Sequence, residues 1–178
     1  VISDLARHVG FVLEERPNPG IDPSFWRPLT FRLFISHLSS ERRFAAELQK
    51  ELLGFGICGF VAHNDIEPTA EWQAQIELAL TTADSLVALL HPGSHLSHWT
   101  DQEIGFAMGR SLPVFSIRYG DDPYGFVGRF QAFNGNAKSA AAIARELFDA
   151  YRTNKQTQKL MSEVLISLFE NSANFKEA

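Results

Sequence analysis

From Leu29 onward the sequence repeats one unit: a short apolar run, a loop, then an amphipathic stretch. TFRLFIS (30–36), ICGFVA (57–62), DSLVALL (84–90) and LPVFSIRY (112–119) read as strands. Their near-continuous apolar character suits strands covered on both faces. Between them, Ser39 or Ser40 is placed to cap a helix running to Leu53, with Phe44, Leu48 and Leu52 on one face and Gly54 at its end. Trp72, Ile76 and Leu80 line a second helix, and a third runs from Trp99 to near Arg110. The Gly- and aromatic-rich stretch 120–133 is expected to hold a short edge strand. Ala140, Ile143, Ala144, Leu147, Phe148 and Tyr151 mark a further helix. Strands alternating with helices predict an α/β fold: a flavodoxin-like, doubly wound sheet of about five parallel strands with helices on both faces.

Two flanks lie outside this pattern. Ile2, Leu5, Val9 and Val12 have helical spacing, and residues 17–28 carry four of the eight prolines and read as an extended linker. The expected division is therefore an N-terminal extension (1–29), the repeating domain (30–152) and a C-terminal helix (153–178). In that helix Leu160, Val164, Leu165, Leu168 and Phe169 form an apolar stripe, expected to pack on the domain, to oligomerise or to lead into a further domain. The chain opens on Val rather than Met, so either a fragment or a trimmed chain is expected.

Composition narrows the function classes. With 45% hydrophobic and 21% charged residues in 178, the chain is globular rather than disordered. No apolar run approaches the ~18 residues of a membrane span, and no signal-peptide pattern opens the chain. No membrane association is expected, and a cytoplasmic location is. A net charge of −5 with scattered basic residues argues against a nucleic-acid partner. The single cysteine, Cys58, excludes an internal disulfide and a cysteine-based zinc site, and its apolar neighbours suggest a buried strand thiol.

Several motifs fail on context. Gly54-Phe-Gly56-Ile-Cys-Gly59 spells G-x-G-x-x-G, but it precedes a strand, whereas the dinucleotide fingerprint follows one and opens a helix. These glycines are read as turn residues. His91, His95 and His98 crowd one loop without an obvious carboxylate or thiol to complete a metal site, so no metal is expected. There is no P-loop and no G-x-S-x-G elbow. A phosphoacceptor receiver needs an Asp closing its third strand, which here ends Leu89-Leu90-His91.

Trp99 and Glu103 remain. Four residues apart, they share one helical face. They follow the third strand, and ligands of open α/β sheets bind beyond the strand carboxyl ends, where strand order reverses. In the order 2-1-3-4-5 that crevice is lined by Ser36, His37, Leu38 and Ser39 on one side and by Ser97 to Glu103 on the other. An exposed Glu103 and a core-anchoring Trp99 are the plain structural alternative.

At this point the chain resembles the Toll/interleukin-1 receptor (TIR) domain family, especially its prokaryotic members, over residues 30–152. FRLFISHLSSER (31–42) is similar to the family's first box, AHNDIEPTAEW (62–72) to its BB loop, and SHWTDQE (97–103) to the S-x-W-x-x-x-E motif of NAD-cleaving members. DPYGF (122–126) resembles a stretch of bacterial members. One departure is Ser40-Glu41-Arg42, where many bacterial members have Ser-Glu-Asp.

The resemblance implies cleavage of the nicotinamide–ribose bond of NAD+, giving nicotinamide and ADP-ribose or a cyclic form, in bacterial antiphage immunity. NAD+ is then the substrate, and no cofactor is expected. Glu103 would stabilise the oxocarbenium-like ribose and Trp99 would offer a ring face. Ser36, His37, Leu38, Ser39 and Ser97 would line the site, and Asn64, Asp65, Ile66, Glu67 and Pro68 would form the BB loop. Self-association through TIR–TIR contacts and a fused or separate regulatory domain are also implied. The competing functions are a non-catalytic TIR scaffold and a nucleoside deoxyribosyltransferase-like enzyme.

Overall fold

The computed structural model describes residues 24–61, 70–129 and 132–172. The N-terminal helix expected from Ile2 onward lies outside them. Among the described residues, five strands form one parallel sheet: β1 (Phe31–Ser36), β2 (Ile57–Val61), β3 (Ser85–Leu90), β4 (Val114–Arg118) and β5 (Phe133–Asn134). Their order is β2-β1-β3-β4-β5, so the direction of winding reverses between β1 and β3. Five helices complete the units: α1 (Arg42–Leu53), α2 (Ala70–Thr82), α3 (His98–Gly109), α4 (Ala140–Thr153) and α5 (Gln158–Ser172).

Side-chain alternation along each strand feeds two cores. Phe31, Leu33 and Ile35 of β1 join Val87 and Leu89 of β3 beneath α1, α4 and α5. Phe34, Leu86, Ala88 and Leu90 face α2 and α3 on the other side. All six residues of β3 are buried, as a central strand covered on both faces requires. The C-terminal helix packs on the domain: Met161 and Val164 are buried in the first core. Its approach explains Gly56, which has φ +73°, and where an added Cβ would lie 2.6 Å from Leu168 Cδ1 and 2.9 Å from Val164 Cγ1.

Three local expectations need correction. Neither Ser39 nor Ser40 caps α1; Ser39–Glu41 form a 3-10 turn closed by Glu41 N–H on the Leu38 carbonyl, and α1 begins at Arg42 without a side-chain cap. Gly59 is not a turn residue but lies within β2, where a Cβ would meet Ile35 Cδ1 at 2.8 Å. The expected linker is packed at its C-terminal end, where Trp26 is buried in the second core. Cys58 is buried on β2, as its apolar neighbours suggest.

Candidate active site

β1 ends in Ser36, a small polar residue on the face turned toward α3. Opposite it, α3 opens at Ser97, whose hydroxyl accepts from Thr100 N–H at 3.3 Å and from Thr100 Oγ1 at 3.0 Å. This N-cap fixes where the helix starts, and so where each following residue points. Six residues on, Glu103 is directed inward and is only 7% exposed. Ser36 Oγ donates to Glu103 Oε2 at 2.5 Å, linking groups 67 positions apart. The contact lies at the strand-order reversal, where the sheet opens.

Burial governs the electrostatics of this carboxyl. Removal from water disfavours the ionised form and pushes its pKa up to about 7, against the opposing pull of the Ser36 hydrogen bond. A carboxyl that titrates near neutrality in a crevice is matched to proton transfer and charge stabilisation at physiological pH.

The structural alternative for the pair is reversed. Trp99, a turn earlier, is 42% exposed, while Glu103 is the buried member. On one helical face the indole is thus the solvent-facing member and the carboxyl the buried one. Of the β1 residues expected to line the site, Ser36 turns its hydroxyl to Glu103. His37 is buried, with its Nδ1 3.0 Å from the Ile35 carbonyl; a carbonyl only accepts, so Nδ1 carries the proton there. Leu38 is half-buried and Ser39 is exposed in the turn that follows. Asn64, Asp65, Ile66, Glu67 and Pro68 lie outside the described residues.

The three histidines do not converge. His91 stacks on Tyr119, ring centroids 4.4 Å apart, with its Nδ1 3.6 Å from Glu41 Oε2. Burial lowers its pKa and the Glu41 charge opposes that shift. Glu41, the acid of the departing Ser-Glu-Arg stretch, therefore faces the end of β3. His95 instead meets Asp121 Oδ2 at 2.9 Å, and His98 is exposed at the start of α3.

Two positioning residues had no assigned role in the sequence. Asp121 Oδ2 also accepts from Gly93 N–H at 3.0 Å, and Tyr124 Oη donates to the Ser94 carbonyl at 2.7 Å. Together they clamp the loop from which α3 starts to the loop after β4. The hydrogen bonds to His95 and the loop backbone hold the Asp121 carboxyl below the usual carboxylate range. Tyr124 belongs to the DPYGF stretch, but a local pattern does not disclose a contact with a carbonyl 30 positions away.

Among solved structures, the chain is similar to the TIR domain of the Toll-related receptor TRR-2 from the lower metazoan Hydra magnipapillata. The identity is 16% and the TM-score 0.51, covering 76% of this chain and 98% of that one. A looser likeness, at 17% identity and TM-score 0.44, is to the TIR domains of the activated Roq1 resistosome directly recognizing the pathogen effector XopQ, covering 76% of this chain and 83% of that one. No curated protein matches the sequence. The sequence model described as TIR domain matches residues 33–148, well over half of the chain and all the elements that build the site, and the chain therefore belongs to the TIR domain family.

Proposed function

We propose that this TIR domain cleaves the nicotinamide–ribose bond of NAD+. The observation that carries the reading is the buried Glu103 carboxyl, held by Ser36 at the strand-order reversal one helical turn below a half-exposed Trp99. The chemistry asks for little else. The bond from ribose C1′ to the pyridinium nitrogen breaks with its electron pair going to the ring, so nicotinamide leaves neutral and needs no general acid. Positive charge develops on the ribose, and a nearby carboxylate in a low-dielectric site stabilises it strongly. Capture of C1′ by water gives ADP-ribose, with the water proton passing to Glu103; capture by a group of the ADP-ribose itself gives a cyclic product. Trp99 offers an aromatic face at the rim for a ring of the dinucleotide. Bacterial antiphage signalling, a cytoplasmic setting and self-association belong to the same reading. Among the described residues no helix is long and apolar enough to cross a membrane.

The test is nicotinamide release from NAD+ by the purified protein at high concentration, beside Glu103→Gln. Release by the wild type and its loss in the variant support the reading; equal release by both places the chemistry elsewhere. A second reading, a TIR interaction module without catalysis, is favoured by an apolar stripe on α3 and the turns beside it. Leu96, Trp99, Phe106 and Phe126 are there 73%, 42%, 41% and 70% exposed. No release from either protein, together with concentration-dependent association, favours that module.

A further inference from the structure

Immediately before β1, Phe25, Trp26 and Arg27 lie across β2 and α2 on the outer edge of the sheet. The contacts are specific. Trp26 Nε1 donates to Thr82 Oγ1 at 2.8 Å, and that hydroxyl spends its own proton on the Leu78 carbonyl, so its lone pair faces the indole. Trp26 is buried in the same core cluster as Ile76, Ala79 and Leu80 of α2 and Ala83 just beyond it. Phe25 packs on Trp26 and on Phe60 of β2 with centroid separations of 5.2 and 4.9 Å. The Cys58 thiol is bracketed by the same three residues, accepting from Arg27 N–H at 3.5 Å and donating to the Phe25 carbonyl at 3.7 Å. The segment then turns into β1 through Leu29, a non-glycine residue at φ +56°.

These three residues precede the stretch matched by the TIR family model, which begins at residue 33. Among the described residues β2, on which they lie, is an edge strand that pairs with β1. α2, their other support, packs on both β1 and α3, the elements that carry Ser36 and Glu103. The Arg110 guanidinium at the end of α3 donates to the Leu80 carbonyl, tying α2 to α3 directly. A chain segment seated on α2 therefore holds, one contact removed, both halves of the Ser36–Glu103 pair.

We propose that residues 25–27 form a releasable strap: docked, as here, it pins α2 and keeps the Glu103 crevice closed, and its local release, driven from the chain that precedes it, loosens α2 and opens the site. Release is a sub-global event, since among the described residues the strap is held by little: the buried Trp26 ring, the Trp26–Thr82 hydrogen bond, the Thr30 hydroxyl on the Arg27 carbonyl, two weak sulfur contacts and the packing of Phe25 on Phe60. The opening of the crevice toward NAD+ rests on the NAD+-cleaving reading; the existence of the strap and its hold on α3 do not.

Cys58, the single cysteine, reports the docked state because its thiol is covered by the strap. The experiment follows its labelling by N-ethylmaleimide across low urea concentrations in the wild type, in Thr82→Val, which keeps the side-chain volume and deletes the indole's acceptor, and in Trp26→Ala. Hydrogen exchange across His98–Gly109 and nicotinamide release are measured on the same samples. The proposal expects wild-type labelling with a much weaker urea dependence than global unfolding by circular dichroism. It expects labelling about tenfold or more faster in Thr82→Val, with cooperative unfolding retained. It also expects faster exchange in α3 and severalfold faster nicotinamide release. Labelling that tracks global unfolding in the wild type and in Thr82→Val overturns the strap, and that comparison stands even where Trp26→Ala does not fold. Faster labelling with unchanged exchange in α3 overturns its hold on the site. Absence of nicotinamide release from every protein counts against the NAD+-cleaving reading and leaves the labelling and exchange results to decide the strap.

Discussion

Glu103→Gln has a stability signature that does not depend on any substrate. In the folded protein the carboxyl titrates at about 7, against an ordinary value of 4.5. The folded state thus holds a proton that the unfolded chain gives up, and stability falls as pH rises through the interval between those values. Below about pH 4.5 both states are protonated and the group contributes nothing to the pH dependence. Above about pH 7 both are ionised and the penalty of burying the carboxylate is fully developed, about 3 kcal/mol for a shift of this size. Gln is close in shape, keeps an oxygen to accept from Ser36, and does not titrate. Any pH-independent cost of its amide group moves the whole curve equally, so the diagnostic is the change in the difference between the two proteins. Urea unfolding of wild type and variant at pH 4.5, 6, 7 and 8 measures it, because all other titrations are shared. The variant should gain on the wild type by about 3 kcal/mol between the lowest and highest pH, most of it between pH 5 and 7. A difference that stays flat with pH would refute the burial argument and with it the tuned carboxyl. A residue held at such a cost is expected where function rather than folding selects it.

Three further outcomes are expected. Ser36→Ala removes the hydrogen bond that opposes the upward shift of Glu103, so a pH profile of nicotinamide release that requires the carboxylate should move to higher pH; an unmoved profile would separate Ser36 from the titrating group. Trp99→Ala, at a rim position 42% exposed, should change unfolding free energy by no more than about 0.5 kcal/mol. It should weaken NAD+ through KM by up to about tenfold, the value of one aromatic stacking contact; a large loss of stability would make Trp99 structural. Gly135→Ala places a Cβ 2.6 Å from Tyr119 Cζ and 2.7 Å from Ile117 Cγ2, so it should lower stability by about 2 kcal/mol, read as an earlier urea midpoint; an unchanged midpoint would mean that the Tyr119 ring, and the His91 stacked on it, shift without cost.

What the sequence determined by itself is the set of elements and, through them, the fold class. The apolar runs of β1 to β4 and the 3.6-residue stripes of α1, α2 and α4 are local signals, and each element lies within a few residues of its expected place. The glycines of 54–59 were separable from a nucleotide-binding loop because their order relative to the strand is itself written in the chain. The shared face of Trp99 and Glu103 is likewise helix arithmetic. Local signals failed where a competing local bond won, as at Ser39–Glu41, where a 3-10 turn displaced the expected serine cap. What only the tertiary structure decided is which member of a shared face goes inside. Helical spacing puts Trp99 and Glu103 together, and hydrophobicity would bury the indole. The outcome is the reverse, because Ser36, 67 positions away, supplies the partner that lets a carboxyl enter the crevice. The docking of Trp26 into the α2 core has the same origin: a proline-rich stretch reads as linker until the edge strand and helix that receive its ring are assembled beside it. A sequence carries its periodicities locally, whereas burial, hydrogen-bond partners and the pKa values that follow from them are properties of the packed whole.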